Sequence, residues 1–294
     1  MYFVFSILGC VLGAGFVSGT EIQKFFVQYK VWGIVGIIVS NVIFCLSILY
    51  FYFKSNDKNG KINLLPYCQI FIYGTMMAGL SSVFPNKIVF NFLAVVVLSI
   101  VLFCGIKVAN VVNIIVSICV IMSLPFILEI SKIDIICGYR VGAFVKCILY
   151  AFMNVLTSEA ILKNLLKNKS KKFVICCCLV LFVIVSTLQI LFFINIYNSK
   201  SEMPMFDNLQ SWFVGVYKTI FVIAMISTLI SSSFGAIKIF KNKMNLGYNF
   251  AQCLAISCMI LLISFIGFSK IIEYIYPIIG LIFVLQVVLN KMFT

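Results

Sequence analysis

The chain has 294 residues, of which 63% are hydrophobic and only 10% charged, with a mean hydropathy of +1.18. A soluble domain needs far more charge on its surface, so this composition excludes one and predicts a polytopic membrane protein. The net charge of +14 comes from lysines in short connectors without interleaved aromatics, which read as topology signals and not as a nucleic-acid surface.

Apolar runs recur along the whole chain, each near the ~20 residues an α-helix needs to cross a hydrocarbon core. Stretches such as Ile88 to Phe103 are apolar on every face, whereas barrel strands alternate in polarity, so helices are the expected spanning element. Ten spans are predicted, at residues 2–28, 31–53, 63–84, 87–105, 108–129, 140–166, 172–197, 209–239, 247–267 and 270–291. The first lacks a basic start and a small-residue cleavage pattern and ends in Glu21 and Lys24, so it reads as a retained span and not a signal peptide. Connectors are short, and one membrane domain over residues 1–294 accounts for the chain.

Orientation follows the distribution of lysine and arginine. With the amino terminus cytoplasmic, thirteen fall inside: Lys54, Lys58, Lys61, Lys107, Lys163, Lys167, Lys169, Lys171, Lys172, Lys238, Lys241, Lys243 and Lys291. Seven fall outside: Lys24, Lys30, Lys87, Lys132, Arg140, Lys200 and Lys270. Both termini are therefore expected in the cytoplasm, in a multi-pass protein of the plasma membrane. Twelve cysteines, including Cys176-Cys177-Cys178, sit almost entirely in apolar spans without CxxC spacing and read as packing residues. Histidine is absent, which excludes imidazole metal sites, Ser-His-Asp triads and histidine proton relays.

Ten spans divide into two sets of five with opposite orientation, the arithmetic of an inverted repeat, with halves at about residues 1–130 and 138–294. In that architecture the first helix of each half is often broken at mid-membrane. Span 1 carries "GCVLGAGFVSG", with glycines at 9, 13, 15 and 19, and span 6 carries "YAFMNVLTSEAIL", with Asn154, Thr157, Ser158 and Glu159 interrupting an apolar run. Breaks are expected in both. Gly9-x-x-x-Gly13 and Gly15-x-x-x-Gly19 also satisfy the small-xxx-small spacing of close helix packing. The matching interruption in span 6 makes packing alone the weaker explanation. Unwinding around Gly13, Ala14 and Gly15 would line a cavity, and a half-helix starting near Ser18-Gly19 would aim N–H groups at an anion.

The motifs "VLGAGFVSGTEIQKFF", "LYAFMNVLTSEAIL" and "GFSKIIEYIYPIIG", together with the ten-span layout, resemble the YkvI-like membrane proteins of the amino acid–polyamine–organocation superfamily. The resemblance implies an all-α, LeuT-type scaffold of 5+5 helices. It further implies a sodium site made by the carbonyls of Gly9 and Leu12 with Ser227, Thr228 and Ser231 of span 8, sodium being the only cofactor-like ion expected. Those hydroxyls could equally satisfy themselves against their own helix.

Intramembrane ionisable groups are costly and are candidates for function. Glu21 could exchange a proton during transport, bind a substrate ammonium, or pair with Lys24 three residues along. Glu159 has the same choices, with Lys163 as its pair. Glu273 reads as interfacial beside Lys270, Lys146 and Lys218 as snorkelling outward, and Pro277 as a kink. The substrate contacts predicted are Gly13, Ala14, Gly15, Phe16, Ser18, Gly19, Glu21, Asn154 and Ser158. Phe16 would supply an apolar wall and Asn154 a polar contact.

The expected function is secondary transport of an amino acid or related small solute by alternating access, coupled to sodium or protons. The partners expected are that solute and the lipid bilayer, with no nucleic acid. A second class is a ligand-sensing membrane subunit resembling germinant-receptor permease components. An enzyme is not expected, because no metal set, paired carboxylates or nucleophile-base arrangement stands out.

Overall fold

The structure, a computed structural model, describes residues 2–54, 106–127, 140–167, 169–207, 209–244 and 270–292. The predicted spans at 63–84, 87–105 and 247–267 lie outside the described residues. Every regular element among those described is helical. They are α1 (Tyr2–Val11), α2 (Ala14–Val17), α3 (Thr20–Phe25), a 3-10 turn (Val27–Tyr29), α4 (Val31–Lys54), α5 (Ile106–Ile127), α6 (Arg140–Leu166), α7 (Lys171–Ile196), α8 (Pro204–Asp207), α9 (Ser211–Met244), a π-turn (Ile271–Ile275) and α10 (Tyr276–Met292). Stretches of α4, α6, α7 and α9 are long and apolar enough to cross a bilayer: Val31–Phe53, Val141–Glu159, Lys171–Ile196 and Ser211–Thr228. The described helices are those of an α-helical membrane protein.

The polarity of the helix faces is the reverse of a soluble bundle. On α5, Val111, Ile115, Ile118, Met122 and Phe126 are exposed at successive turns, while Asn113, Ser117 and Ser123 are buried. Ile278, Leu281 and Leu285 repeat the outward stripe on α10, with Gln286 turned inward. Hydrocarbon tolerates an apolar exterior, and polar side chains gain from facing one another inside.

α6 is the hub, packing against α4, α10, α1 and α9. α1 also packs on α5, and α7 on α1 and α3. Close approach at α6–α10 depends on Gly280, where an added methyl would stand 2.5 Å from the Leu149 carbonyl oxygen.

One expectation is overturned. α6 runs unbroken from Arg140 to Leu166 through the segment expected to unwind. Its polar residues satisfy themselves on the turn before: Asn154 Nδ2 donates to Tyr150 O (3.2 Å), Thr157 Oγ1 to Asn154 O (2.9 Å) and Ser158 Oγ to Asn154 O (2.8 Å). Such back-bonding occupies the polar groups without opening the helix. Span 10 instead carries the second irregularity, a π-turn directly before Pro277, whose nitrogen cannot continue an α ladder.

Gly280→Val is expected to lower the thermal midpoint in detergent, as overpacking costs of about 1–3 kcal/mol would do. Gly215→Ala, which meets nothing within 4 Å, is expected to hold or raise it, since alanine is the better helix former. Differential scanning fluorimetry of the two variants checks the contrast.

Candidate functional site

Span 1 is broken twice. α1 ends with Leu12 N donating to Leu8 O (2.8 Å), Leu12 and Gly13 leave the helix, and α2 makes a single turn closed by Val17 N to Gly13 O (3.0 Å). The chain then turns at Gly19, whose φ of 78° a side chain would resist, before α3 starts at Thr20. A break in the interior of a membrane protein must find partners for the backbone groups it frees.

The carbonyls from Gly15 to Ser18 are all engaged. Gly15 O accepts from Ser18 Oγ (3.1 Å) and Phe16 O from Gly19 N (2.9 Å). Val17 O accepts from the Tyr217 hydroxyl of α9 (2.6 Å), and Ser18 O from Met205 N of α8 (3.1 Å). Ser18 Oγ also meets Thr20 Oγ1 (2.8 Å), and Thr20 Oγ1 meets Glu202 O (2.7 Å). Gln23 Nε2 donates to Ser199 O (2.8 Å). The connector between α7 and α9 is thereby fastened over the second break, with Pro204 and Met205 against Gly19.

Glu21 lies in the first turn of α3 and is 3% exposed. Its side chain folds back onto Gly15, where any β-carbon would overlap the carboxyl group. It hydrogen-bonds the Tyr150 hydroxyl of α6. That hydroxyl accepts from Gln189 Nε2 of α7 (3.3 Å), Gln189 Oε1 accepts from Asn41 Nδ2 of α4 (2.8 Å), and Asn41 Nδ2 also reaches Ser186 Oγ (2.9 Å). One buried polar chain thus joins spans 1, 6, 7 and 2. The rings of Phe25 and Phe26 close on Tyr150 at 5.1 and 5.0 Å.

The Lys24 alternative for Glu21 is not realised. Lys24 Nζ pairs with Glu273 of the π-turn at 2.7 Å. Lys146 reaches the Glu273 carbonyl (3.5 Å) and lies 5.5 Å from the centre of the Phe25 ring. Glu273 therefore ties span 10 to span 1, and is not simply an interfacial residue beside Lys270.

The remaining candidates divide. Phe16 is fully buried with its ring 5.0 Å from that of Phe192, an apolar wall beside the break. Asn154 and Ser158 are buried on α6, one and two turns beyond Tyr150. Glu159 is buried as well. The side chain of Ala14 lies outside the described residues, as do those of Lys163 and Ser231. Of the expected sodium set, Thr228 comes to the break: a methyl on Gly13 would sit 2.8 Å from Thr228 Oγ1. Thr228 Oγ1 donates to Ala224 O of its own helix (3.1 Å), and Ser227 Oγ donates to Asn113 Oδ1 of α5. Gly9 packs against the Asn113 backbone. The described side chains thus bring one hydroxyl of that set to the first break. Among the described residues, no group of three or more cysteine, aspartate or glutamate side chains is placed to hold a metal.

Sequence reasoning missed Tyr150, Gln189, Asn41, Tyr217 and Asn113. Tyr150 is four residues before Asn154 and shares its helix face, and Asn41 and Gln189 are amide side chains within apolar runs, each near a serine. Those signals identify buried polar positions but not their common partner. Comparison of the sequence with protein-family models and with curated proteins gives no match.

The contact between Gly15 and Glu21 predicts coupled substitutions. Gly15→Ala is expected to destabilise strongly in the wild-type background and much less in a Glu21→Ala background, where the space is vacated. A double-mutant cycle on thermal or denaturant midpoints should give a coupling of about 0.5–3 kcal/mol.

Proposed function

We propose that the protein is a secondary transporter of an amino acid or a related small solute, working by alternating access on a LeuT-type scaffold. The observation that carries this reading is the doubly broken first span, buried at the centre of the described helices and wrapped by spans 6, 7 and 8. Irregular backbone at membrane depth is tolerated where protein or a cavity surrounds it, and in transporters it marks the binding site. The intact α6 departs from the resemblance. Binding is therefore assigned to the span 1 side, with Phe16 as an apolar wall and the Tyr150–Asn154 face of α6 opposite.

The two breaks give the first span separable pieces. Both α1 and α3 pack on α6 and α7, while α5 and α9 pack on α1 and the α7–α9 connector and the π-turn on α3. Rocking of either piece about Gly13 or Gly19 would open one side of the site while the other stays shut. The α3 end is held in this structure by Lys24–Glu273 and by the contacts of Glu202 and Ser199.

Purified protein in liposomes is expected to take up labelled L-amino acids saturably when loaded internally with unlabelled amino acid. Absence of saturable exchange for each of the common amino acids would overturn the reading.

A further inference from the structure

The geometry points to Glu21 as the group that binds and releases a proton during each transport cycle, making the protein proton-coupled. This rests on the transporter reading and adds the coupling ion and its site to it.

The argument begins with space. Gly15 lies against one side of the carboxyl group so closely that no β-carbon fits between them, and the Tyr150 hydroxyl engages it on another. The residue is 3% exposed. The Gly15 side of the carboxyl leaves no room for an organic ammonium, and sodium would require several oxygen ligands arranged around it. A proton needs neither volume nor a coordination shell.

Charge leads to the same answer. A buried ionised carboxylate needs a cation or a full set of donors. Several charged groups on the elements packed around α3 have partners other than Glu21, and Glu159 lies buried on α6 nine residues beyond Tyr150. Lys24 and Lys146 converge on Glu273, Asp207 accepts from Ser199 Oγ (2.6 Å), and Glu202 meets Thr20 through its carbonyl. Tyr29, in the 3-10 turn, packs on Gly142. Tyr150 remains as the titratable partner, itself stabilised by Gln189. A neutral carboxylic acid satisfies this environment, and an anion does not.

The site can also be opened. Among the described residues, α8 and its flanking residues cover Gly19, Thr20 and Gln23, where a few hydrogen bonds and the Met205 contact hold them, and lifting them would admit solvent toward Glu21. In the open state water solvates the carboxylate. There it takes up one proton, forming a new O–H bond and the neutral acid. After closure and reopening on the opposite side that O–H bond breaks and the proton leaves to water. One positive charge crosses per cycle and no electron moves: the loaded carrier crosses with Glu21 protonated, and the empty carrier returns with Glu21 ionised and hydrated, out of the closed contact with Gly15 and Tyr150, which is what couples the proton to the cycle.

The test uses the full-length protein in liposomes. Infrared spectra of the wild type should show the carbonyl stretch of a protonated carboxyl, which lies above the amide bands, at neutral pH. It should vanish as pH rises, be missing in Glu21→Gln and shift in Tyr150→Phe. Should Glu21→Gln fail to fold, the Tyr150→Phe shift assigns the band in a protein that keeps the carboxyl. In parallel, an equimolar mixture of the common L-amino acids is added outside vesicles containing a trapped pH dye. Internal acidification accompanying uptake is expected. Uptake without acidification, or a band unaffected by both substitutions, would overturn proton coupling at Glu21 and leave transport standing. No uptake at all would overturn the transporter reading instead.

Discussion

A carbonyl left unbonded in a membrane interior costs several kcal/mol, and span 1 frees a run of them. The solution here is a set of partners drawn from remote segments. Ser18 covers Gly15, Tyr217 of α9 covers Val17, and Met205 of the α7–α9 connector covers Ser18. The positions of α9 and of that connector relative to span 1 are therefore set by backbone satisfaction. An isolated first span could not hold this shape, because the Val17 and Ser18 carbonyls find their partners in other parts of the protein.

The polar side chains follow the same rule at longer range. Hydrophobic burial contributes little to helix association in lipid, so packing and interhelical hydrogen bonds carry it. The chain from Glu21 through Tyr150 and Gln189 to Asn41 crosses four spans. Each member is a partner the next would otherwise lack, which makes the network cooperative and sensitive to loss of any one. The glycines serve it sterically. Gly15 admits the Glu21 carboxyl and Gly13 admits the Thr228 hydroxyl, so the small residues fix where polar groups approach the backbone as well as how near helices come.

Much of this architecture is legible in one sequence, and the boundary of legibility is physical. Span edges at 31–53, 140–166 and 172–197 differ from α4, α6 and α7 by at most a residue at either end, because hydropathy and short charged connectors report directly on the solvent each residue meets. The break in span 1 could be read because glycine acts locally on backbone freedom. The interruption read into span 6 failed because serine, threonine and asparagine are ambiguous: the same residues that line an unwound site can bond back to their own helix, as Thr157 and Ser158 do. The partner of Glu21 was likewise open, since helix spacing favoured Lys24. Tertiary structure gave Lys24 to Glu273 instead, a residue 249 positions away.

Span 1 and α6 pack against each other and differ in build, and the difference has a mechanical consequence. Here one member of the central pair is divided at Gly13 and Gly19 into short pieces, while the other is a single rod of 27 residues anchored to α4 and α10. A rod with its polar groups bonded inward resists bending, whereas a pivot at a residue with φ of 78° and no side chain does not. On the transporter reading, α6 is then the fixed wall that presents Tyr150, and the pieces of span 1 are what move past it. Glu21 rides on the mobile piece and Tyr150 stands on the fixed one, so the hydrogen bond between them is made or broken by the same motion that would open the site.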